Sequence, residues 1–195
     1  MTRFLMTCAL LMTAATQAQA QKLSLSEISQ YFAALRLAEA RFTQVTDDGY
    51  MSTGQLWISR PGKMRFDYDP PEDAFVVATQ GAVFIVDGRS NVGPETYPLK
   101  RTPLNLLLAR NVDLSQAGMV VGHSFDGTAT IVTAQDPKNP ELGQIEMHFT
   151  SEPVSLRKWV TTDGSGQRTT VILGPLIEGK RQSPELYREP RASRN

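Results

Sequence analysis

Four acidic side chains stand close together in the sequence and are the first candidates for catalysis: Asp67, Asp69, Glu72 and Asp73. A pair of carboxyl groups on either side of a bound sugar can hydrolyse a glycosidic bond. The alternation of polar and apolar residues in this stretch, however, places Asp67 and Asp69 on the polar side of a strand. A solvated loop that follows this strand is therefore the better explanation of the four acids.

The other polar residues give little support for nucleophilic or metal-assisted chemistry. The two histidines are His123 and His148, and neither belongs to a cluster of His, Cys and carboxylates with the spacing of a zinc site. The nucleophile motif Gly-x-Ser-x-Gly is absent from the sequence, and Gly164-Ser165-Gly166 fits a hairpin turn. A Ser-His-Asp triad drawn from distant positions stays open, but the sequence predicts no enzyme, no metal and no other cofactor.

The most informative polar residue is Arg60, which stands in a predicted β-hairpin between Gly54 and Pro71. Side chains alternate between the two faces of a strand, so Arg60 shares the apolar face of Leu56 and Ile58. A guanidinium at the rim of an apolar face needs hydrogen-bond acceptors, because an unpaired buried charge is costly. The alternative is that Arg60 lies at the end of its strand and reaches water.

Two predicted helices need an apolar surface to lie on. Ser24 and Glu27 have the spacing of a capping box, which begins the first helix. Its apolar stripe is formed by Leu25, Ile28, Phe32 and Leu35. Thr102 as cap and Pro103 at the first position begin the second helix. Its apolar residues are Leu104, Leu106, Leu107 and Leu108. Each helix is either a permanent part of the core or a movable lid.

The rest of the chain reads as short strands separated by turns. Strands are expected over residues 41–46, 75–79, 82–87, 119–125, 128–134, 144–149, 156–161 and 167–173. Turn signals at intervals of about eight to twelve residues favour an all-β sandwich or barrel over βαβ units. Residues 90–101 are expected to be irregular, and the end of the chain to be an extended segment and then a disordered tail over residues 188–195.

Residues 1–20 have the features of a secretory signal peptide: a basic start, an apolar run, and small residues leading up to a cleavage site after Ala20. Cleavage there leaves residues 21–195, which we expect to form a single domain. The one cysteine, Cys8, leaves with the signal, so no disulfide or thiol nucleophile is expected. Loss of Arg3 takes the net charge from 0 to −1, which does not suit nucleic-acid binding.

The sequence resembles the periplasmic outer-membrane lipoprotein carriers, the LolA family. The matching segments are Phe42-Thr43-Gln44, Gly54-x-Leu56-x-Ile58-x-Arg60-Pro61-Gly62-Lys63-Met64-Arg65-Phe66-x-Tyr68-x-x-Pro71, and the Thr102-Pro103-Leu104 helix with Leu107-Leu108. The later strands agree in pattern more than in identity, so the resemblance covers nearly all of the chain after the signal. Only Leu186-Tyr187 stands where longer members have an aromatic-x-aromatic pair near the end.

The resemblance implies a mainly β fold of the α+β class, an unclosed antiparallel β-barrel in which a helical lid covers a hydrophobic cavity. It implies that Arg60 hydrogen-bonds the lid helices and governs their opening. The residues expected to line the cavity are Phe42, Leu56, Ile58, Met64, Phe66, Tyr68 and Phe84. Those expected to form the lid helices are Ile28, Phe32, Leu35, Leu104, Leu107 and Leu108.

The resemblance also implies a function and a set of partners. The expected protein is a periplasmic chaperone, a monomer whose cargo is an acylated lipoprotein. An ABC-type release complex of the inner membrane (LolCDE-like) supplies that cargo, and a receptor lipoprotein of the outer membrane (LolB-like) or its equivalent accepts it. The alternative is a lipid-sensing or regulatory binding module of the envelope on the same fold, a class that usually carries an additional domain.

Overall fold

The computed structural model describes residues 21–90, 92–115 and 118–190 of the chain. The predicted signal peptide, residues 1–20, and the last part of the predicted tail, residues 191–195, lie outside the described residues. The α-helices of the described part are α1 (Leu25–Ala34) and α2 (Leu104–Leu108). Its strands are β1 (Leu37–Thr46), β2 (Met51–Ser59), β3 (Lys63–Tyr68), β4 (Ala74–Thr79), β5 (Ala82–Asp87), β6 (Glu95–Pro98), β7 (Val120–Phe125), β8 (Thr130–Gln135), β9 (Gly143–Ser151), β10 (Val154–Asp163), β11 (Arg168–Leu173) and β12 (Ile177–Glu178).

These strands form one antiparallel sheet. Its order is β6-β5-β4-β3-β2-β1-β11-β10-β9-β8-β7, and the short β12 also pairs with β1. Among the described strands, the pairs formed between distant parts of the chain are those of β1 with β11 and with β12. β6 and β7 stand at opposite ends of the order and, within the described residues, do not pair with each other. The sheet is therefore unclosed, as the family resemblance implied.

The sheet is strongly curved. The rings of Phe66 on β3 and Trp159 on β10 contact each other edge to face, with their centroids 6.3 Å apart. Their strands are separated by β2, β1 and β11, a distance of about 19 Å in a flat sheet with a strand spacing of about 4.8 Å. The contact therefore requires the sheet to curl, which gives it a concave inner face and a convex outer face.

The inner face carries the main hydrophobic core, which we call the inner cluster. Its buried residues are Leu23, Ile28, Phe32, Leu35, Ala38, Phe42, Leu56, Ile58, Met64, Phe66, Ala78, Val83, Leu99, Leu107, Leu108, Leu114, Val132, Ala134, Ile145, Met147, Phe149, Leu156, Trp159, Val171 and Leu173. Both α1 and α2 contribute buried side chains to it. The two helices therefore lie against the concave face of the sheet.

The predicted start of α1 is confirmed. The hydroxyl of Ser24 accepts a hydrogen bond from the backbone N–H of Glu27 at 3.2 Å, and Glu27 Oε2 accepts one from the N–H of Ser24 at 2.7 Å. This reciprocal pair satisfies two N–H groups that have no partner inside the helix. The helix ends at Ala34, and β1 begins at Leu37, earlier than the strand that the sequence predicted.

The outer face carries a second, smaller hydrophobic cluster, which we call the outer cluster. It contains the buried residues Val77, Phe84 and Tyr187, with Trp57, Phe75, Ala82 and Leu186 packed against them. The prediction that Phe84 lines the cavity is therefore wrong. Its neighbour Val83 points into the inner cluster, and successive side chains of a strand point to opposite faces.

Three other predictions need correction. Residues 90–101 are not wholly irregular, because they contain β6 and a 3-10 turn over Leu99–Arg101. Thr102 does not cap α2: its hydroxyl donates to the carbonyl of Leu99 at 2.9 Å, and Pro103 stands at the N-cap position. The C-terminal segment contains β12 and a 3-10 turn over Pro184–Tyr187, which packs on the outer face.

Candidate functional site

The apolar part of the candidate site is the stretch of the inner face formed by β1, β2 and β3. Six of the seven residues predicted to line the cavity lie together here: Phe42, Leu56, Ile58, Met64, Phe66 and Tyr68. All of them except Tyr68 are at most 5% exposed. The face is therefore apolar and closed off from solvent by what lies on it.

The aromatic rings of this face pack edge to face. The ring of Phe42 lies 5.1 Å from that of Phe66 and 5.3 Å from that of Tyr68. Gly54 makes room for this arrangement, because a Cβ there would lie 2.6 Å from the ring of Phe42 and 2.1 Å from the carbonyl oxygen of Asp67. The glycine of the hairpin motif thus permits close packing of two strands and a ring.

The predicted lid residues cover this face. Ile28, Phe32, Leu35, Leu107 and Leu108 are buried in the inner cluster, and Leu104 is partly buried against it. On α1 the ring of Phe32 packs edge to face on Phe149 of β9, with centroids 5.7 Å apart. α1 therefore contacts β9, and both helices lie in one cluster with the β1–β3 stretch of the inner face.

Arg60 joins the two helices to the β2–β3 hairpin. Its Nη1 donates to the carbonyls of Phe32 and Leu35, the latter at 3.2 Å, and its Nη2 donates to the carbonyl of Ala109 at 2.8 Å. The last carbonyls of a helix lack partners within it and carry the negative end of the helix dipole. The guanidinium therefore satisfies free acceptors at the C-terminal ends of α1 and α2 together.

The charge of Arg60 is buried without an acid to neutralise it. The residue is 6% exposed, and in the described part of the chain it forms no ion pair. Burial, together with the positive charge of Arg36, lowers the pKa of Arg60 to about 10. Its guanidinium carbon lies 5.1 Å from the centroid of the Phe32 ring, and its Nε is buried without a hydrogen-bond partner. Arg60 is therefore held by hydrogen bonds to backbone carbonyls, but its buried charge is not neutralised by an acid in the described part of the chain.

A backbone contact extends this attachment to α2. The N–H of Gly62, in the turn after Arg60, donates to the carbonyl of Leu108 at 2.9 Å. α2 belongs to the segment of residues 99–119 that connects β6 to β7, the two end strands of the sheet. The hairpin turn thus holds the segment that crosses from one free edge of the sheet to the other.

Two of the four acidic residues considered for catalysis, Asp67 and Asp69, form ion pairs. Asp67 pairs with Nε of Arg65 at 2.6 Å, and Asp69 pairs with Arg41. The hydrogen bonds that Asp69 accepts from Arg41 and Thr53 lower its pKa to about 2. A carboxyl group held ionised in this way cannot serve as a general acid near neutral pH. No group of three or more His, Cys, Asp or Glu residues over the described ranges is arranged to hold a metal ion.

The partners of Arg60 could not be read from residue types. They are backbone carbonyls of Phe32, Leu35 and Ala109, and every residue carries a carbonyl. The sequence indicates these acceptors only indirectly. Arg60 lies on the inward face of its strand, and neither helix has a basic residue in its last turn that could cap its carbonyls. The sequence therefore predicted the position of Arg60 but not its particular acceptors.

A family model and curated relatives match the sequence of this chain. The family model described as "Outer membrane lipoprotein carrier protein LolA" matches residues 33–188. An outer-membrane lipoprotein carrier protein of Azotobacter vinelandii is 25% identical over 170 residues, which cover 82% of this chain and 80% of that protein. One of Chromohalobacter salexigens is 27% identical over 167 residues, with 82% and 79% covered.

A search of solved structures found a LolA superfamily protein of Nitrosomonas europaea. It is 7% identical, covers 86% of this chain and 98% of its own, and superposes with a TM-score of 0.44. Over the described residues of the present structure, no helix is both long enough and apolar enough to cross a membrane.

Proposed function

The family match covers more than half of this chain, which therefore belongs to the outer-membrane lipoprotein carrier (LolA) family, and we propose that it carries lipoproteins across the periplasm. In this proposal residues 1–20 direct export and are removed, and residues 21–195 act as one carrier domain. The acyl chains of the cargo bind to the inner face of the sheet. The protein acts as a binding chaperone, and no step of its function is chemical.

The observation that carries the proposal is the construction of the inner face. The face is apolar, and its cover consists of two helices that are separate in the chain. The C-terminal ends of both helices are held by one buried arginine, Arg60. A core that served stability alone would gain little from a buried charge, because burial of an uncompensated charge is costly. A polar attachment that two apolar helices share suits a cover that opens.

The energetics of loading support the same function. In the closed form the apolar stripes of α1 and α2 occupy the inner face. Each methylene of an acyl chain that enters an apolar environment contributes about 0.8 kcal/mol. Acyl chains can therefore replace the helix side chains on this face and hold the helices away. Loading is an exchange of one apolar cover for another, and Arg60 contributes to the balance between the two states.

Release requires the closed form to compete with the loaded form. When the helices return, Arg60 recovers its three carbonyl acceptors, and the inner cluster closes again. The attachment thus favours the empty, closed protein over the loaded one. We propose that this preference for the closed form drives handover to a receptor lipoprotein of the outer membrane. Loading by an ABC-type complex of the inner membrane must overcome the same preference.

The direct test is native mass spectrometry of the protein purified from a periplasmic extract, alone and after co-expression with a triacylated lipoprotein. A one-to-one complex is expected with the acylated cargo. The matched control is the same cargo with its lipidated cysteine replaced by alanine, which should form no complex. Binding of free lipid but not of lipoprotein would instead indicate a lipid-sensing module, and absence of any apolar cargo would refute the carrier function.

The role of Arg60 has its own test. In Arg60→Leu the three carbonyls lose their donor and the inner face becomes more apolar, so the loaded state gains relative to the closed state. We expect the variant to fold, to bind the acylated lipoprotein and to retain it in the presence of the outer-membrane receptor. Transfer at the wild-type rate would refute the attachment as the element that controls release.

A further inference from the structure

The two ends of α1 are attached to the sheet in different ways. The C-terminal end is continuous with β1, because only Leu35 and Arg36 separate the helix from the strand. Arg36 is itself fixed, since its carbonyl accepts a hydrogen bond from the N–H of Arg60 at 2.8 Å. A helix that swings away from the sheet therefore pivots near its C-terminal end, and its N-terminal end moves furthest.

That N-terminal end is held by a compact set of hydrogen bonds to β7 and β8. The N–H of Leu23 donates to Oγ1 of Thr130 at 2.8 Å, and the carbonyl of Leu23 accepts from Nε2 of His123 at 2.8 Å. Nζ of Lys22 donates to the backbone carbonyl of His123 at 3.0 Å. We call this set the N-terminal clamp. Both backbone groups of Leu23 are thereby engaged by side chains of the sheet.

The bond between Leu23 and Thr130 is the part of the clamp that is protected from water. Leu23 is 5% exposed and Thr130 1% exposed, so a bond broken here leaves a buried polar group without a partner. The side chain of Leu23 packs in the same cluster as Ile28, in the positions of a hydrophobic staple. The capping box of Ser24 follows directly. A displacement of Leu23 therefore displaces the first turn of α1 with it.

The clamp also lies at a free edge of the sheet. β7 is the last strand in the sheet order, and β8 is its single neighbour. Release of Leu23 at this edge would uncover the inner face next to Phe149, on which Tyr31 and Phe32 of α1 pack. The opposite attachment, through Arg60, engages carbonyls of the same helix. The two attachments therefore oppose the same movement from the two ends of α1.

We propose that Thr130 and His123 are positioning residues of the carrier, which hold the N-terminal end of α1 closed and set how readily the inner face opens at the β7–β8 edge. This inference rests on the carrier function proposed above, because it assigns these residues to the movement that admits acyl chains. Arg60 holds the pivot end of the helix, and the clamp holds the end that travels. Opening of the cover requires both attachments to release.

The test is amide hydrogen exchange of the exported protein in the absence of cargo. Thr130→Val keeps the shape of the side chain but leaves the N–H of Leu23 unpaired, and exchange of the α1 amides should accelerate by about tenfold. His123→Leu should have a similar effect. His123→Gln restores an N–H donor and should return exchange toward the wild-type rate. The matched control is Thr133→Val on the same strand, which should leave α1 exchange unchanged.

A second readout uses an apolar fluorescent dye, N-phenylnaphthylamine, as the probe for the uncovered face. Thr130→Val and His123→Leu should bind the dye more tightly than wild type, by about the same factor as the gain in exchange. Unchanged α1 exchange and dye binding, or equal effects from Thr133→Val, would overturn the inference. The dye and the exchange assay contain no lipoprotein, so they test the clamp separately from cargo loading, whose failure would refute the carrier function instead.

Discussion

Two short helices cover the inner face of the sheet and one short segment packs on its outer face, and each cover contacts an arginine of the β2–β3 hairpin. Over the inner face Arg60 is buried, with three backbone carbonyls as its acceptors and no ion pair among the described residues. Over the outer face Arg65 pairs with Asp67 at 2.6 Å, stacks on Phe75 at 4.1 Å and donates to the carbonyl of Leu186 at 3.3 Å. One attachment leaves its charge uncompensated, and the other neutralises it.

This difference changes the cost of lifting each cover. When acyl chains replace the inner helices, the inner cluster stays covered; Arg60 loses three hydrogen bonds, but its buried charge returns to water, which offsets part of that loss. When the outer segment moves away, the outer cluster is exposed to water and nothing comparable is gained. We therefore interpret the inner cover as movable and the outer cover as fixed. This distinction predicts different effects for substitutions in the two covers.

The largest effect on stability is expected from Tyr187→Ala, which removes the buried ring of the outer cover. Loss of a buried aromatic side chain should lower the free energy of unfolding by about 3 kcal/mol. The measurement is urea unfolding followed by tryptophan fluorescence. Tyr187→Phe keeps the ring, loses only the hydroxyl bond to Gln182, and should cost about 1 kcal/mol. Equal stability of wild type and Tyr187→Ala would show that the outer cover is not fixed.

A smaller loss is expected from Arg65→Met. The variant keeps an apolar side chain against Phe75 but removes the ion pair with Asp67 and the bond to Leu186. Its free energy of unfolding should fall by about 1.5 kcal/mol, because the side chain is only 17% exposed and its bonds are partly shielded from water. Urea unfolding again provides the measurement, and cargo binding should remain at the wild-type level. Loss of cargo binding here would link the outer face to the function.

Arg60→Leu should change global stability less, by at most about 1 kcal/mol in either direction, because relief of the buried charge offsets the lost hydrogen bonds. The lowered pKa of Arg60 reflects this cost, because burial disfavours its charged form in the folded state. Urea unfolding at neutral pH measures the effect. A loss of several kcal/mol would mean that the inner attachment is structural, and the proposed contrast between the two covers would fail.

The smallest effect concerns the exposed pair of Arg41 and Asp69. The pKa of Asp69 is lowered to about 2 from an ordinary value of 3.8, chiefly by the hydrogen bonds from Arg41 and Thr53. A carboxyl group whose pKa is lowered by folding stabilises the protein at pH values above its pKa in the unfolded chain. This contribution disappears as the pH falls through its pKa in the folded protein. Asp69→Asn should therefore be less stable than wild type at pH 6, and the two should converge between about pH 4 and pH 2. A difference independent of pH would exclude the ion pair as its source.

The sequence was sufficient where one face of an element is apolar and the other polar. β2 and β3 alternate in this way, so the inward parity of Arg60 followed from counting residues. The capping box of α1 was equally readable, because it depends on two residue types at a fixed spacing. Local patterns of this kind determine local geometry, and the curl of the sheet then brings the parts of the site together.

The sequence was insufficient where both faces are apolar or where packing decides. β5 contains the run Ala-Val-Phe-Ile-Val, in which alternation cannot tell the inner face from the outer, and Phe84 was assigned to the wrong one. β6 is exposed along its length and, within the described residues, pairs with β5 alone. Its sequence therefore has no alternation of buried and exposed positions that would mark it as a strand. The turn at Pro184–Tyr187 begins with a local signal, Ser183 as N-cap and Pro184 after it, but its place on the outer face depends on Tyr187, which packs in one cluster with residues of β4 and β5.

The central claim is that acyl cargo displaces the inner cover while the outer cover stays in place. Hydrogen exchange monitored by mass spectrometry, on the exported protein alone and in complex with a triacylated lipoprotein, tests it directly. We predict that Leu25–Ala34 and Leu104–Leu108 exchange faster in the complex and that Pro184–Tyr187 is unchanged. Equal or greater protection of the two helices in the complex, or a change confined to the outer segment, would contradict the account.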